Sequence, residues 1–224
     1  MLTDRAALAI VIPALNCEGN LGRTLAVLPP GVVVADGGSV DATRDIARRF
    51  GATVIDAERG RGTQLAAGAR AVQGDWLLFL HGDTILSPGW AEAVSAFTAN
   101  PGNINRAAVF RFRLDDGAPQ ARRIERLVAW RTKVLGLPYG DQGLLISRPF
   151  YDALGGFKPL PLMEDVDMIR RIGAARLDVL DAEALTSPVR YRKGGYWLRP
   201  LGNLVCLGLY FLKVPPRLIE RFYR

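Results

Sequence analysis

Three short apolar runs, each cut off abruptly, constrain this chain more than any other feature. Ala7 to Ile12 is continuous, rich in β-branched residues and stopped by Pro13. Val32 to Ala35 is stopped by Asp36-Gly37-Gly38-Ser39. Asp75 to Leu80 breaks off into His81, Gly82, Asp83 and Thr84. Runs this short, with no polar alternation, are expected of parallel strands covered on both faces. Helical patterns lie between them. Asn20 to Leu28 places Leu21, Leu25 and Leu28 on one side. Ala42 to Phe50 follows Asp41 as an N-cap and closes at Gly51, and Ala-rich Thr63 to Val72 ends near Gly74. Thr53 to Ile55 reads as a further strand. Strand and helix alternating over about eighty residues predict an α/β fold: a doubly wound, mostly parallel central sheet flanked by helices.

The second half is less regular. Helices are expected over Pro88–Ala99, with proline in the first turn, Pro119–Leu135, Pro149–Leu154 and Met163–Ile172. Strands are expected over Ala107–Leu114, where arginines alternate with apolar residues, and Leu144–Ser147. No Ser-, Gly- or Pro-rich linker divides the chain. One domain over residues 1–195 is expected, followed by a helical appendage over residues 196–224. Cys17 and Cys206 stand far apart, suggesting neither a disulfide framework nor a zinc site. A reducing cytoplasm is therefore the expected compartment. The N-terminal apolar run is short and preceded by an acid, unlike a signal peptide. The net charge of +7 favours anionic partners. The basic residues are dispersed and form no nucleic-acid readout motif, so nucleic acid is not an expected partner.

In an open parallel sheet, ligands bind beyond the carboxyl ends of the strands. Three strands end there in polar residues: Pro13-Ala14-Leu15-Asn16-Cys17-Glu18, Asp36 to Asp41, and His81 to Thr84. Asp36 could accept hydrogen bonds from a nucleoside, while Gly37 and Gly38 let backbone approach a ligand. Asp83 could ligate a hard divalent cation that gathers phosphates. His81, the only histidine, is either a second metal donor or a neutral ring bonded to a backbone carbonyl. For Ser39 and Asp41, capping is at least as good an account as a ligand role. Arg59 and Arg61 flank Gly60 at a helix start, where free N–H groups and guanidinium could meet phosphate. No phosphate-loop lysine motif and no GxGxxG after the first strand is present, which disfavours a nicotinamide-dependent dehydrogenase. Glu164 and Asp165 open a helix, placed either to cap it or to serve as a base at a cleft edge. Asp141 and Gln142, between Gly140 and Gly143, are candidates for an acceptor pocket; the alternative is a plain turn.

With these segments assembled, the chain resembles the family 2 glycosyltransferases of the GT-A fold. The likeness runs from Ala9 to about Ile172 through VIPALN, VVVADGGSVDAT, GRGTQLAAGARAVQGDWLLFLHGDT and MEDVD. LPYGDQGLLISRPFYDALGGFKPLPLMEDVD further resembles a small bacterial subgroup, often labelled arsenosugar-biosynthesis or selenium-associated glycosyltransferases. The resemblance implies a nucleotide-diphosphate sugar donor, Mg²⁺ or Mn²⁺, and inversion at the anomeric carbon. It implies that Asp36 binds the nucleoside, Asp83 coordinates metal and diphosphate as the last Asp of a DxD motif, and Asp165 is the base. Pro13 and Asn16 match the first-strand motif. His81 stands in place of the first Asp of DxD, a departure this subgroup shares. Cys17 replaces a usual Glu, with Glu18 one place later.

At the C-terminus, Leu204 to Leu212 is apolar apart from Gly208, too short to span a membrane. Trp197, Tyr210, Phe211, Arg199 and Lys213 suit an amphipathic helix at a membrane surface, and Arg217, Arg221 and Arg224 would add attraction to anionic lipid. A helix packed on the catalytic domain or at a homodimer interface is the alternative. Two other functions compete: a nucleotidyltransferase, whose basic loop after the first strand is missing, and a non-catalytic nucleotide-sugar-binding protein.

Overall fold

A computed structural model describes residues 7–189, 191, 195, 196, 198–216, 218 and 219, with backbone only for residues 198–200. The chain runs β1 (Leu8–Ala14), α1 (Glu18–Leu25), β2 (Val33–Asp36), α2 (Thr43–Arg49), β3 (Thr53–Asp56), α3 (Arg61–Ala71), β4 (Trp76–Phe79) and β5 (Thr84–Leu86). It continues through α4 (Trp90–Thr98), β6 (Ala107–Leu114), α5 (Pro119–Leu135), β7 (Leu144–Ser147), α6 (Arg148–Ala153), α7 (Glu164–Ile172), β8 (Leu177–Thr186) and α8 (Leu198–Phe211). The strands form one eight-stranded sheet in the order β3-β2-β1-β4-β7-β6-β8-β5.

The first four strands pair with one another only in parallel, as their uninterrupted apolar runs require. Alternate residues of β1 go to opposite faces. Ile10, Ile12 and Ala14 join Leu21, Leu25, Ala47, Val94 and Phe97 from α1, α2 and α4. Ala9 and Val11 join Leu65, Ala69, Phe150, Met168 and Ile172 from α3, α6 and α7. The sheet is thus covered on both sides, as the doubly wound reading expects.

The other half is mixed. β7 is antiparallel to both β4 and β6, β5 is antiparallel to β8, and β6 is parallel to β8. Strands β5 and β8 were not among the sequence expectations. β8 explains the arginines of β6. Arg111 and Arg113, on β6, meet Asp181 at 2.6 Å and Glu183 at 3.4 Å, and Arg106, just before β6, meets Asp178 at 2.7 Å. These pairs lie at the surface, where each adds little stability but opposes a shift of register.

Several helix boundaries differ from the expectation. Pro88 precedes α4, which starts after left-handed Gly89. Asp41 is not the N-cap of α2, whose cap position is Ala42; its carboxylate accepts from the N–H of Thr43 at 3.0 Å and of Glu18 at 3.2 Å. Helix α6 is capped by Ser147, whose hydroxyl accepts from Phe150 N at 3.2 Å. Trp197, Arg217, Arg221 and Arg224 lie outside the described residues, as does the side chain of Arg199.

Candidate active site

The four parallel strands end on one edge, and a crevice opens there in two connected chambers. The first is lined by Pro13, Asn16, Cys17, Arg59, Arg61 and Gly82, among others. The second is lined by Tyr139, Asp141, Leu162, Met163, Asp165, Val166 and Asn203, among others. Arg61, His81, Asp83 and Ser187 border both. Asp83 and Asp165 both border the second chamber.

Asp165 is held by two backbone donors. Its Oδ2 accepts from Gly140 N and its Oδ1 from Val166 N, each at 2.8 Å. The turn that aims it is strained. Met163, at the cap of α7, has φ 65° and ψ 19°, a left-handed conformation unusual for a side chain of this size. Such strain persists where surrounding packing enforces it. Here Met163, Leu162 and Val166 pack against Cys206 and Leu207 of α8.

Gly140 has no room for a side chain. A Cβ there would lie 2.6 Å from His81 Nε2 and 3.4 Å from Asp165 Oδ2. The His81 ring edge and the Asp165 carboxylate thus flank one bare stretch of backbone. This close approach, together with a turn, is what the glycines of YGDQG provide.

Asp141 borders the second chamber. Its Oδ1 has no hydrogen-bond partner, and burial pushes its carboxyl up to about 6, with Arg131 opposing and Asp165 and Asp83 adding to the rise. Gln142 does not reach the crevice. Its amide donates to Phe110 O and accepts from Thr132, both at 3.0 Å, tying α5 to β6. The acceptor-pocket expectation for Gln142 is corrected accordingly: two tertiary hydrogen bonds consume its side chain.

Glu164 does not face the crevice either. It is buried behind the wall, and Arg61 Nη1 approaches its carboxylate at 3.2 Å. Burial is the main cause that pushes its carboxyl up to about 7; Arg61 lowers it and Asp165 raises it. A carboxylate so enclosed touches ligands only through Arg61, so the catalytic expectation for Glu164 becomes a positioning one.

The loops after β1 and β2 are stitched together. Asn16, at φ 49°, accepts from Val40 N at 2.9 Å, and its own N–H donates to Ser39 Oγ at 2.9 Å. Glu18 accepts from Ala42 N at 2.9 Å. Asp36 is closed to solvent and accepts from Gly38 N at 3.1 Å, Ser39 N at 3.0 Å and the Ser39 hydroxyl. Gly37 leaves space for Gln64, whose amide donates to Ala14 O at 2.7 Å and Ala35 O at 3.0 Å. Asn16 lines the crevice; Glu18, Asp36 and Gly37 lie behind it. Gln64, which joins the ends of β1 and β2 and also lines the crevice, was missed in the sequence. A lone glutamine inside an Ala-rich helix gives only a faint signal.

Among the described residues, no group of three or more His, Cys, Asp or Glu side chains could hold a metal ion. Nor does any hydrogen bond or ion pair among them engage the Asp83 carboxylate, which borders both chambers. This suits a cation that keeps several waters and is bound by one or two protein groups plus substrate phosphates. Cys17 and Cys206 are free, in keeping with the absence of an expected bridge.

Sheet order, crevice and helix-borne acid together define a GT-A glycosyltransferase architecture. Two solved structures illustrate it. Glucosyl-3-phosphoglycerate synthase from Mycobacterium tuberculosis, in complex with Mn²⁺, uridine diphosphate and glucosyl-3-phosphoglycerate, is similar at TM-score 0.61 and 20% identity, over 89% of this chain and 79% of that one. A mannosyltransferase from Pyrobaculum calidifontis, in complex with GDP-Man and Mn²⁺, is similar at TM-score 0.60 and 21% identity, over 82% of this chain and 57% of that one. At such identities the likeness speaks for the fold. No match emerges among curated proteins. The sequence profile of Glycosyl transferase family 2 matches residues 9–151, more than half of the chain, and the protein belongs to that family.

Proposed function

We propose that the protein is an inverting glycosyltransferase that moves a sugar from a nucleotide-diphosphate sugar to an acceptor hydroxyl. The carrying observation is that Asp165, pinned by two backbone N–H groups, shares a chamber with the uncommitted carboxylate of Asp83. The solved relatives support a donor of this class, since one holds Mn²⁺ with uridine diphosphate and the other Mn²⁺ with GDP-mannose.

The first chamber receives the nucleotide. Pro13, Asn16 and Gly82 line it, and Arg59 and Arg61 bring positive charge to its diphosphate end. Glu18 acts through its hold on the neighbouring loop. Asp36 meets a nucleobase only once Ser39 turns away from its carboxylate. Asp83, with His81 beside it at the border of both chambers, would hold Mg²⁺ or Mn²⁺. The cation supplies Lewis-acid stabilisation of the departing diphosphate.

The acceptor enters the second chamber. Asp165 takes its hydroxyl proton, and the acceptor oxygen bonds to the anomeric carbon from the face opposite the diphosphate. The bond from that carbon to the diphosphate oxygen breaks, and its electron pair leaves with the diphosphate. Arg61, held from behind by Glu164, faces the negative charge that develops there. Asp141 borders the acceptor's path. The protein works in the cytoplasm and meets an anionic membrane surface; a homodimer is the other assembly the sequence suggested.

The test is Asp165→Asn. A positioned base contributes ~10²–10⁴-fold, so transfer should fall by about that factor. Thermal stabilisation by donor and Mn²⁺ should persist, because ligands that bind the folded state stabilise it regardless of turnover. A variant as active as the wild type would remove Asp165 from the role.

A further inference from the structure

Helix α8 has two unlike sides. Cys206 and Leu207 are buried with Leu162, Met163 and Val166, and Asn203 borders the second chamber. The other side presents Leu201, Leu204, Val205 and Phe211 to water, each 46–56% exposed, followed by Leu212 at 78%. Their spacing makes one stripe along an α-helix. No described helix is long and apolar enough to cross a membrane.

The segment that carries this stripe has charge of one sign. From Ala184 to Ile219 the sequence contains no aspartate or glutamate, but it contains Arg190, Arg192, Lys193, Arg199, Lys213 and Arg217. Among the described side chains, exposed Lys213 follows the stripe, and exposed Arg170 lies 5.1 Å from the centre of the Phe211 ring. A second copy docked stripe to stripe would bring Lys213 and Arg170 of both copies to one seam, and the segment carries no acid to answer them. An anionic lipid surface answers both features, taking the apolar side chains into its acyl boundary and the cations among its headgroups.

We infer that α8 lies in the interface of an anionic lipid bilayer with its stripe inward. The docking stands independently of the glycosyltransferase reading.

Vesicle flotation of the full chain tests the docking. The protein should float with phosphatidylcholine vesicles that contain phosphatidylglycerol, and flotation should be lost in Leu204→Glu/Val205→Glu and reduced in Leu212→Glu. Unchanged melting temperatures would show that these exposed positions left the fold intact. Leu212, beyond the helix end, provides an independent variant if the double one fails to fold. A wild type that stays at the bottom of the gradient overturns the inference. Variants that float like the wild type also overturn it, as does a wild-type dimer in sedimentation velocity that the double variant abolishes. Stabilisation of the wild type by a nucleotide-diphosphate sugar with Mn²⁺, measured without vesicles, tests the glycosyltransferase reading separately.

Discussion

At the scale of residues, this site depends on what is left out as much as on what is present. Gly140 carries no side chain, and that absence allows His81 Nε2 and the Asp165 carboxylate to approach the same backbone. In Gly140→Ala, the new methyl must displace the imidazole, the more mobile of the two neighbours. Misplacement of a catalytic group by about an ångström costs up to ~10²-fold in rate. Gly140→Ala should therefore lose most transfer activity in a steady-state assay while its melting temperature moves little. The sequence displayed the acids that border the crevice but not their partners. Asp83 and Asp165 were legible because each stands at the end of a strand or the start of a helix. Gln142 and Glu164 were misread because adjacency in sequence says nothing of which way a side chain turns. One residue from Asp165, Glu164 points into the interior, and one from Asp141, Gln142 binds α5 to β6.

Among the elements, α3 shows how tightly the helices sit on the sheet. Gly68, in its middle, would carry a Cβ only 2.2 Å from Val11 Cγ1 of β1. Helix propensity alone favours alanine over glycine by ~1 kcal/mol. Overpacking a filled interior costs ~1–3 kcal/mol. The steric cost should win, and Gly68→Ala should lower the midpoint of urea unfolding rather than raise it. The same scale separates what patterning revealed from what it hid. Strands β1, β2 and β4 were plain because both faces are covered and the runs are unbroken. β5 spans three residues, too few to show a period. β8 carries Asp178, Asp181 and Glu183, so it reads as a polar loop until the arginines at β6 are seen beside it.

For the molecule as a whole, buried acids couple stability to pH. Glu164 is pushed from the 4.5 of a free glutamate up to about 7, chiefly by burial. Between these values the folded protein keeps a proton that the unfolded chain has released. Stability contributed in this way is complete below the unfolded value and is lost as pH rises toward 7. Asp141, pushed from 3.8 up to about 6, acts in the same direction over a slightly more acidic range. The melting temperature of the ligand-free protein should therefore fall as pH is raised from about 4.5 to about 7. Glu164→Gln, which carries no ionisable proton, should show a shallower fall in differential scanning calorimetry over the same range. A fall as steep as that of the wild type would mean that other groups set the slope.

Arg61, His81, Asp83 and Ser187 stand at the border of both chambers. These four are the described residues common to the two linings. A sugar seated there would itself stand between nucleotide and acceptor, and each ligand would complete the other's surroundings. On the proposed reading the two substrates would be neighbours across a shared doorway, and a change to any of those four side chains would be felt from both rooms.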